Sequence, residues 1–341
     1  MVKYPIIPEH ELLISFARKY ITKNKISEFP QNATVDWEYL IKAARYHRVI
    51  PFLYSQITSS SEITVPPPFL EELKRSFLRI IQFNMFTTSE LISLYNKITA
   101  EGIPIIPYNG PILAQIFYGD IKCRQYDDLD ILIQKENIQK VKKILLQEGY
   151  QFGQLMTPSQ EKQFTKSQHH YQFSHPSSGF YIELHWEVSP RIYSFNLDLG
   201  KVWERANYIT FSGREVLSLS GEDMILIFCE HGTRHYWKRL SMICDIAKLI
   251  ELNELDWDYL FNTAKHIGSE RVLLLGISLA KTLFDIDLPP SLTYKCLHDQ
   301  PVEMLTQQAL DHILYQKLNF PDKSTMPTLP DIEEELFYLH A

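Results

Sequence analysis

A short segment in the middle of the chain constrains the fold more than any other part of the sequence. Residues 108–133 join an Asn-Gly-Pro turn at 109–111 to two acids, Asp128 and Asp130, which open an apolar run. A strand places alternate side chains on one face, so the two acids are expected to project together. Two carboxylates this close repel each other unless a cation lies between them. The segment therefore predicts a metal site at the start of a strand.

The composition is that of an ordinary globular protein and excludes several functional classes. The chain has 341 residues, of which 45% are hydrophobic and 22% charged, with a net charge of −7. This acidic balance argues against long nucleic acid as a partner. No run approaches the ~18 apolar residues of a membrane helix, and prolines interrupt the region where a signal peptide would be apolar. Because its four cysteines are widely spaced, without a C-x-x-C pair, we predict a cytoplasmic protein with reduced thiols and no membrane contact.

The spacing of apolar residues divides the chain into three predicted regions. Residues 1–100 have helical periodicity and are expected to form an N-terminal helical region. Residues 101–219 alternate short apolar runs with amphipathic segments, which predicts a mixed α/β core. Residues 220–341 return to helical spacing. The predicted fold class is α+β, with a small mixed sheet flanked by N-terminal and C-terminal helical regions.

A β-hairpin pattern in the core supplies a third acid. Two alternating runs within residues 170–188 flank a Pro-Ser-Ser-Gly turn, and the second run is expected to join the sheet that contains Asp130. Glu183 shares a face of this run with His185, which would either orient a metal ligand or be a hydrogen-bonded core histidine. The preceding residues, 153–167, predict a polar loop.

Three acids on one sheet would suit a hard divalent cation. Mg²⁺ takes oxygen ligands and is commonly held by a few carboxylates together with substrate phosphates. Two such ions activate an attacking hydroxyl and neutralise a transferring phosphoryl group. The residues alone support an alternative equally well, because D-x-D motifs are frequent by chance. In that alternative Asp128 caps the strand, Asp130 is solvated and Glu183 lies on a polar hairpin face.

Other polar residues in the core have two interpretations each. Arg124 would meet a phosphate or pair with Asp120 or Asp127. His169, His170 and His175 could form a metal cluster, but the spacing along the hairpin arm places His169 on the opposite face from His170. We therefore expect no ion shared between these two histidines.

The order of these motifs resembles the bacterial family of uncharacterised nucleotidyltransferases, within the superfamily typified by DNA polymerase beta. That family combines a glycine turn, an acidic pair on a strand, a later acid before a His-Trp pair, and a helical segment with His, Trp and Arg. The corresponding residues here are Asn109 to Pro111, Phe117 to Asp120, Arg124, Asp128 to Ile133, Ile182 to Trp186, His231-Gly232, His235, Trp237, Arg239-Leu240 and Asp245 to Ala247. The match runs in order over roughly residues 35–250, which makes it far more specific than a lone D-x-D.

The resemblance implies transfer of a nucleoside monophosphate from an NTP, expected to be ATP, to an acceptor hydroxyl. The cofactor would be Mg²⁺ or Mn²⁺, and the acceptor a small molecule, peptide or protein. The residues that would bind the metal and act in catalysis are Asp128, Asp130 and Glu183. Those that would bind the nucleotide are Asn109, Gly110, Arg124, Lys238 and Arg239.

Departures from the family pattern keep two alternatives open. Asn109 stands where the family commonly has Lys, Pro111 removes a backbone donor beside the glycine, and Glu183 replaces Asp. The first alternative is a catalytically impaired nucleotide- or partner-binding module with the same fold. The second is a phosphohydrolase that uses the same acids.

Overall fold

The structure, a computed structural model, describes residues 6–22, 35–60, 63–153, 156–176, 180–252 and 254–318. In these residues helices flank a five-stranded mixed sheet, so the predicted α+β fold class is confirmed. No helix in the described ranges is long and apolar enough to cross a membrane.

The described secondary structure follows the chain in this order. The helices are α1 (Pro8–Ile21), α2 (Trp37–Tyr46), α3 (Ile50–Ser59), α4 (Pro67–Ala100), α5 (Pro111–Tyr118), α6 (Ile138–Gln147), α7 (Pro158–Ser167), α8 (Leu199–Arg205), α9 (Gly221–Arg234), α10 (Leu240–Leu252), α11 (Trp257–His266), α12 (Glu270–Phe284), α13 (Pro290–His298) and α14 (Gln300–Leu314). The strands are β1 (Ile105–Pro107), β2 (Asp128–Ile133), β3 (Gln151–Phe152), β4 (His170–Ser174), β5 (Tyr181–His185), β6 (Asn207–Phe211) and β7 (Arg214–Ser218).

The chain divides into two compact units. The described residues of Met1–Arg79 and Ile225–Ala341 form a helical unit, and Ile80–Met224 form a sheet unit. Most of the two regions predicted to be helical, 1–100 and 220–341, therefore belongs to one unit. The predicted division into three domains, with a core at 101–219, stays a prediction.

The helical unit is built around α12. Its residues from Val272 to Ala280 are all buried, and its neighbours include α10, α13 and α14. A helix that is apolar on every side must lie inside a bundle, which is the position that α12 has.

The sheet unit contains a mixed sheet with the strand order β1-β2-β5-β4-β3. β2 pairs in parallel with β5, and β5 pairs antiparallel with β4, which confirms the predicted hairpin. β1 lies at an edge, antiparallel to β2, where its proline costs no ladder hydrogen bond. β6 and β7 form a separate two-stranded ribbon.

The loop predicted at residues 153–167 is wrong in its second half, which forms α7. Thr157 Oγ1 accepts from the Gln160 N–H at 3.3 Å, and the Gln160 side chain accepts from the Thr157 N–H at 2.9 Å. This reciprocal capping box, with Pro158 in the first turn, starts a helix despite the polar composition. The polarity reflects the exposed surface of α7 and not an absence of structure.

A buried histidine joins two elements of the helical unit. His47 follows α2, and its Nδ1 accepts a hydrogen bond from the backbone N–H of Leu240, the first residue of α10, at 3.2 Å. Burial, reinforced by nearby positive groups such as His10 and Arg239, lowers the pKa of His47 to about 3. The acceptor role also requires a neutral ring nitrogen.

We expect acidification to destabilise the protein partly through His47. The unfolded chain takes up a proton below the ordinary pKa of 6.5, whereas folded His47 does so only near 3. The free energy of unfolding therefore falls as the pH is lowered from 6.5, by at most about 1.4 kcal/mol per pH unit from this one group. Urea unfolding of His47→Asn at pH 7, 6 and 5 should show a shallower pH dependence than the wild type. His266→Asn, at an exposed position, should keep the wild-type slope, and an unchanged slope in His47→Asn would contradict this assignment.

Candidate active site

The parallel pairing of β2 with β5 brings two of the predicted acids together. Asp130 is the register partner of Glu183, so their side chains leave the same face of the sheet from adjacent strands. Together with His185 they form a group whose potential metal-ligating atoms lie within 4.8 Å of one another. Asp130 is buried and Glu183 is partly exposed, so the group opens to solvent on the Glu183 side.

Asn109 connects the remaining acid to this group. Its Nδ2 donates to Asp130 Oδ2 at 2.8 Å and lies 3.5 Å from Asp128 Oδ1. Both carboxylates of β2 therefore face the same side, as strand alternation requires. The structure thus places Asn109 on the acids, while its predicted contact with a nucleotide phosphate stays a prediction.

The backbone of Gly110 lies so close to the start of β2 that a side chain at this position would crowd it. Its φ is +75°, and an added Cβ would lie 3.2 Å from the carbonyl oxygen of Asp128 and 3.5 Å from Leu129 Cδ1. Arg124 Nη1 donates to the Gly110 carbonyl oxygen at 3.4 Å. The turn before α5 therefore rests directly against the start of β2.

The loop before β2 is held by α4. Within the sheet unit, buried Asn84 donates through Nδ2 to the carbonyl oxygens of Ile121 and Arg124. Thr87 Oγ1 and the Tyr126 hydroxyl form a further hydrogen bond at 2.8 Å. The two bonds from Asn84 satisfy backbone carbonyl groups, and together with the hydroxyl pair they fix the direction in which the chain enters β2.

His185 lies directly against the acids. Its Nε2 is 3.2 Å from Asp130 Oδ1 and 3.3 Å from Glu183 Oε2. Burial lowers the pKa of His185, but hydrogen bonds and attraction from the two carboxylates outweigh it and raise the pKa to about 9. The two contacts show that both carboxylates converge on one point. Carboxylate oxygen atoms are ligands that Mg²⁺ and Mn²⁺ prefer. The acids therefore fit a divalent metal ion.

The expected separation of His169 and His170 is wrong. Their ring nitrogens, His169 Nε2 and His170 Nδ1, lie 2.9 Å apart. β4 begins at His170, so His169 is outside the strand and does not follow its alternation. Backbone N–H groups of Trp186 and Glu187 both donate to the His169 carbonyl oxygen, at 3.0 and 3.3 Å. Sequence reasoning missed this pair because it applied strand alternation to His169, which comes one residue before the strand.

Two predicted nucleotide-binding residues belong to the helical unit. The backbone N–H of Lys238 donates to the His235 carbonyl oxygen at 3.2 Å, and Arg239 directly precedes α10. Burial lowers the pKa of His235 to about 3, and the positive charges of Arg234, Lys238 and Arg239 contribute. The segment is therefore cationic, while a role for Lys238 and Arg239 in nucleotide binding stays a prediction.

Acids that converge from paired strands of a mixed sheet define the class of site, a candidate centre for metal-assisted phosphoryl transfer. The sequence profile of the family described as uncharacterised nucleotidyltransferase matches residues 33–285. The chain belongs to this family, and the resemblance in the sequence motifs is confirmed. No curated protein matches the chain.

Solved structures include two loose matches. A lincomycin-bound lincosamide antibiotic adenylyltransferase, LnuA, is 15% identical, with a TM-score of 0.34 over 48% of this chain and 97% of its own. An antigenic nucleotidyltransferase-like protein from Paracoccidioides brasiliensis is 16% identical, with a TM-score of 0.38 over 61% of this chain and 96% of its own.

Replacing Gly110 should damage both stability and the position of Asp128. Gly110→Ala should lower the free energy of unfolding by about 1–3 kcal/mol for the backbone conformation alone. The contact with the Asp128 carbonyl oxygen adds to this loss. Gly102→Ala is the control for a positive φ, because Gly102 has φ +72° but nothing within 4 Å of an added Cβ. In urea unfolding, Gly110→Ala should have a lower free energy of unfolding than Gly102→Ala. Equal losses of this free energy would show that the close approach to Asp128 is unimportant.

Proposed function

We propose that this protein transfers a nucleoside monophosphate from an NTP to an acceptor hydroxyl, using Mg²⁺ or Mn²⁺. The observation that carries the proposal is the register pairing of Asp130 with Glu183, which aims two carboxylates at one point. Membership of a nucleotidyltransferase family supports the same reaction class. ATP is the proposed donor, and the proposed acceptor is a small molecule, peptide or protein.

The acids would hold the metal and act on the nucleophile. Asp130 and Glu183, with Asp128 on the same face, would supply oxygen ligands. When bound, divalent ions neutralise the triphosphate and favour loss of pyrophosphate. His185 would keep Asp130 and Glu183 in a fixed orientation through its two contacts with them.

The proposed reaction is a single displacement at phosphorus. The acceptor oxygen forms a bond to the α-phosphorus while the bond from that phosphorus to the bridging oxygen breaks. Pyrophosphate leaves with the electron pair, and the hydroxyl proton passes to a carboxylate oxygen. Glu183 is the proposed base because it is the more exposed of the two paired acids.

Proposed nucleotide contacts come from the turn and from cationic residues. The turn at Asn109 and Gly110 precedes α5, in which the N–H groups that follow Pro111 in the first turn have no partner within the helix and suit phosphate oxygens. Arg124, next to this turn, would add a positive charge. Lys238 and Arg239 are proposed as further phosphate ligands. The described thiols are all free, in keeping with the proposed cytoplasmic location.

One observation favours a second candidate, a nucleotide- or partner-binding module without turnover. Asn109 and His185 already donate to Asp130, so part of its capacity to ligate a metal is taken. A metal would have to share the Asp130 oxygen atoms with these N–H groups, which weakens its binding. Weak metal binding with retained nucleotide binding is the behaviour expected of such a module.

Removing either paired carboxylate should abolish transfer. Asp130→Asn and Glu183→Gln should each lower the rate by at least about two orders of magnitude, the loss typical of removing one group that stabilises transition-state charge. The assay follows label from [α-³²P]ATP into a panel of small-molecule and protein acceptors, this chain included, with Mg²⁺ or Mn²⁺. Asp127→Asn is the control. Asp127 is exposed and directly precedes Asp128 in the sequence, and its replacement should leave the activity unchanged.

Three outcomes separate the candidate functions. Label transfer that depends on Asp130 and Glu183 supports the nucleotidyltransferase. Calorimetric ATP binding without transfer to any acceptor supports the binding module. Phosphate release that needs no acceptor supports a phosphohydrolase and contradicts the proposal.

A further inference from the structure

Three histidines form a second group beside the paired acids. One ring nitrogen from each of His169, His170 and His185 lies within 4.8 Å of the other two. We propose that these three residues bind a transition-metal dication of the Zn²⁺ type. Imidazole nitrogen suits Zn²⁺, Co²⁺ and Ni²⁺, whereas Mg²⁺ prefers oxygen. The group is therefore chemically distinct from the carboxylate site, although the two share His185.

The three nitrogens lie near the spacing of a tetrahedral site, within 4.8 Å of one another. Zn–N bonds of about 2.0–2.1 Å place ligand nitrogens about 3.4 Å apart in a tetrahedron. His169 Nε2 and His170 Nδ1 are 2.9 Å apart. The His170 and His185 rings are stacked with centroids 5.0 Å apart, and those of His169 and His185 are 5.6 Å apart. The side chains must rotate to direct all three nitrogens at one ion, and the ion then replaces the proton between His169 and His170.

His185 is arranged like a metal ligand that a carboxylate orients. Its Nε2 faces Asp130 and Glu183, whereas its Nδ1 is buried without a hydrogen-bond partner among the described residues. A buried nitrogen without a partner costs free energy, so the exception calls for an explanation. Metal-ligating histidines commonly donate their other ring nitrogen to a carboxylate. We assign Nδ1 to the ion, which replaces the proton that this nitrogen carries in the imidazolium, while Nε2 keeps its proton toward the carboxylates.

The backbone fixes the other two ligands, of which His169 is buried and His170 is partly exposed. His170 lies directly opposite His185 in the β4–β5 ladder. The His169 carbonyl oxygen accepts from two backbone N–H groups that follow β5. The His170 side chain is 27% exposed, which gives an ion a route from solvent. Binding of this ion does not depend on the proposed nucleotidyl transfer.

The site is tested by Zn²⁺ titration of the untagged, metal-free full chain. Isothermal calorimetry should show one Zn²⁺ bound per chain that a large excess of Mg²⁺ does not displace. His169→Ala and His170→Ala should each weaken the binding by at least about tenfold, because metal sites lose this much even when an outer partner is removed. His298→Ala is the control, since His298 is exposed and bonded to the Tyr294 carbonyl oxygen. Wild-type affinity in both cluster variants overturns the proposal.

X-ray absorption of the Zn²⁺-loaded wild type identifies the ligand atoms directly, and this measurement does not depend on whether a variant folds. Scattering from three imidazole rings around the ion supports the site. A shell of oxygen atoms alone overturns it, because Zn²⁺ would then lie on the carboxylates.

Discussion

The candidate site depends on one register, the parallel alignment of Asp130 with Glu183. Two carboxylates on adjacent strands repel each other, so this alignment is costly unless positive charge compensates it. His185 provides that charge from the sheet itself, and Asn109 adds a neutral donor. A shift of one residue between β2 and β5 would send one acid to the opposite face and break up the group. The flanking apolar residues prevent this shift, since Leu129, Ile131, Ile182 and Leu184 are fully buried.

The supports around this register come from several parts of the sheet unit. Asn84 on α4 fixes the loop that leads into β2, and Gly110 lets the turn before α5 approach the same strand. The Tyr108 ring packs edge-on against His185, with centroids 5.4 Å apart. The strands that contain the acids are therefore held by contacts from α4, from the turn before α5 and from Tyr108. Such rigidity is what a site needs when its charges must stay at fixed separations.

Local patterns were enough to predict the parts of the site that strand alternation controls. Strand alternation predicted that Asp128 and Asp130 share one face of β2 and that Glu183 and His185 share one face of β5. Both pairs have this arrangement in the structure. The position of His169 could not be predicted this way. His169 lies one residue before β4 begins, and strand alternation does not apply to it. The contact of Asn109 with Asp130 also escaped prediction, since it depends on how a turn folds back over a strand. The polar composition of α7 hid a helix that its Thr157 and Gln160 cap would have indicated.

The two edges of the sheet limit how a protein substrate could approach. β1 has three residues and ends in Pro107, which has no N–H to offer, and β3 at the opposite edge has two residues. Neither edge is a good template for an added strand. A peptide acceptor would therefore gain few main-chain hydrogen bonds from this sheet, and its recognition would rest on side chains. We therefore expect an acceptor to be selected by the side chain that carries its hydroxyl group and to depend little on the neighbouring backbone.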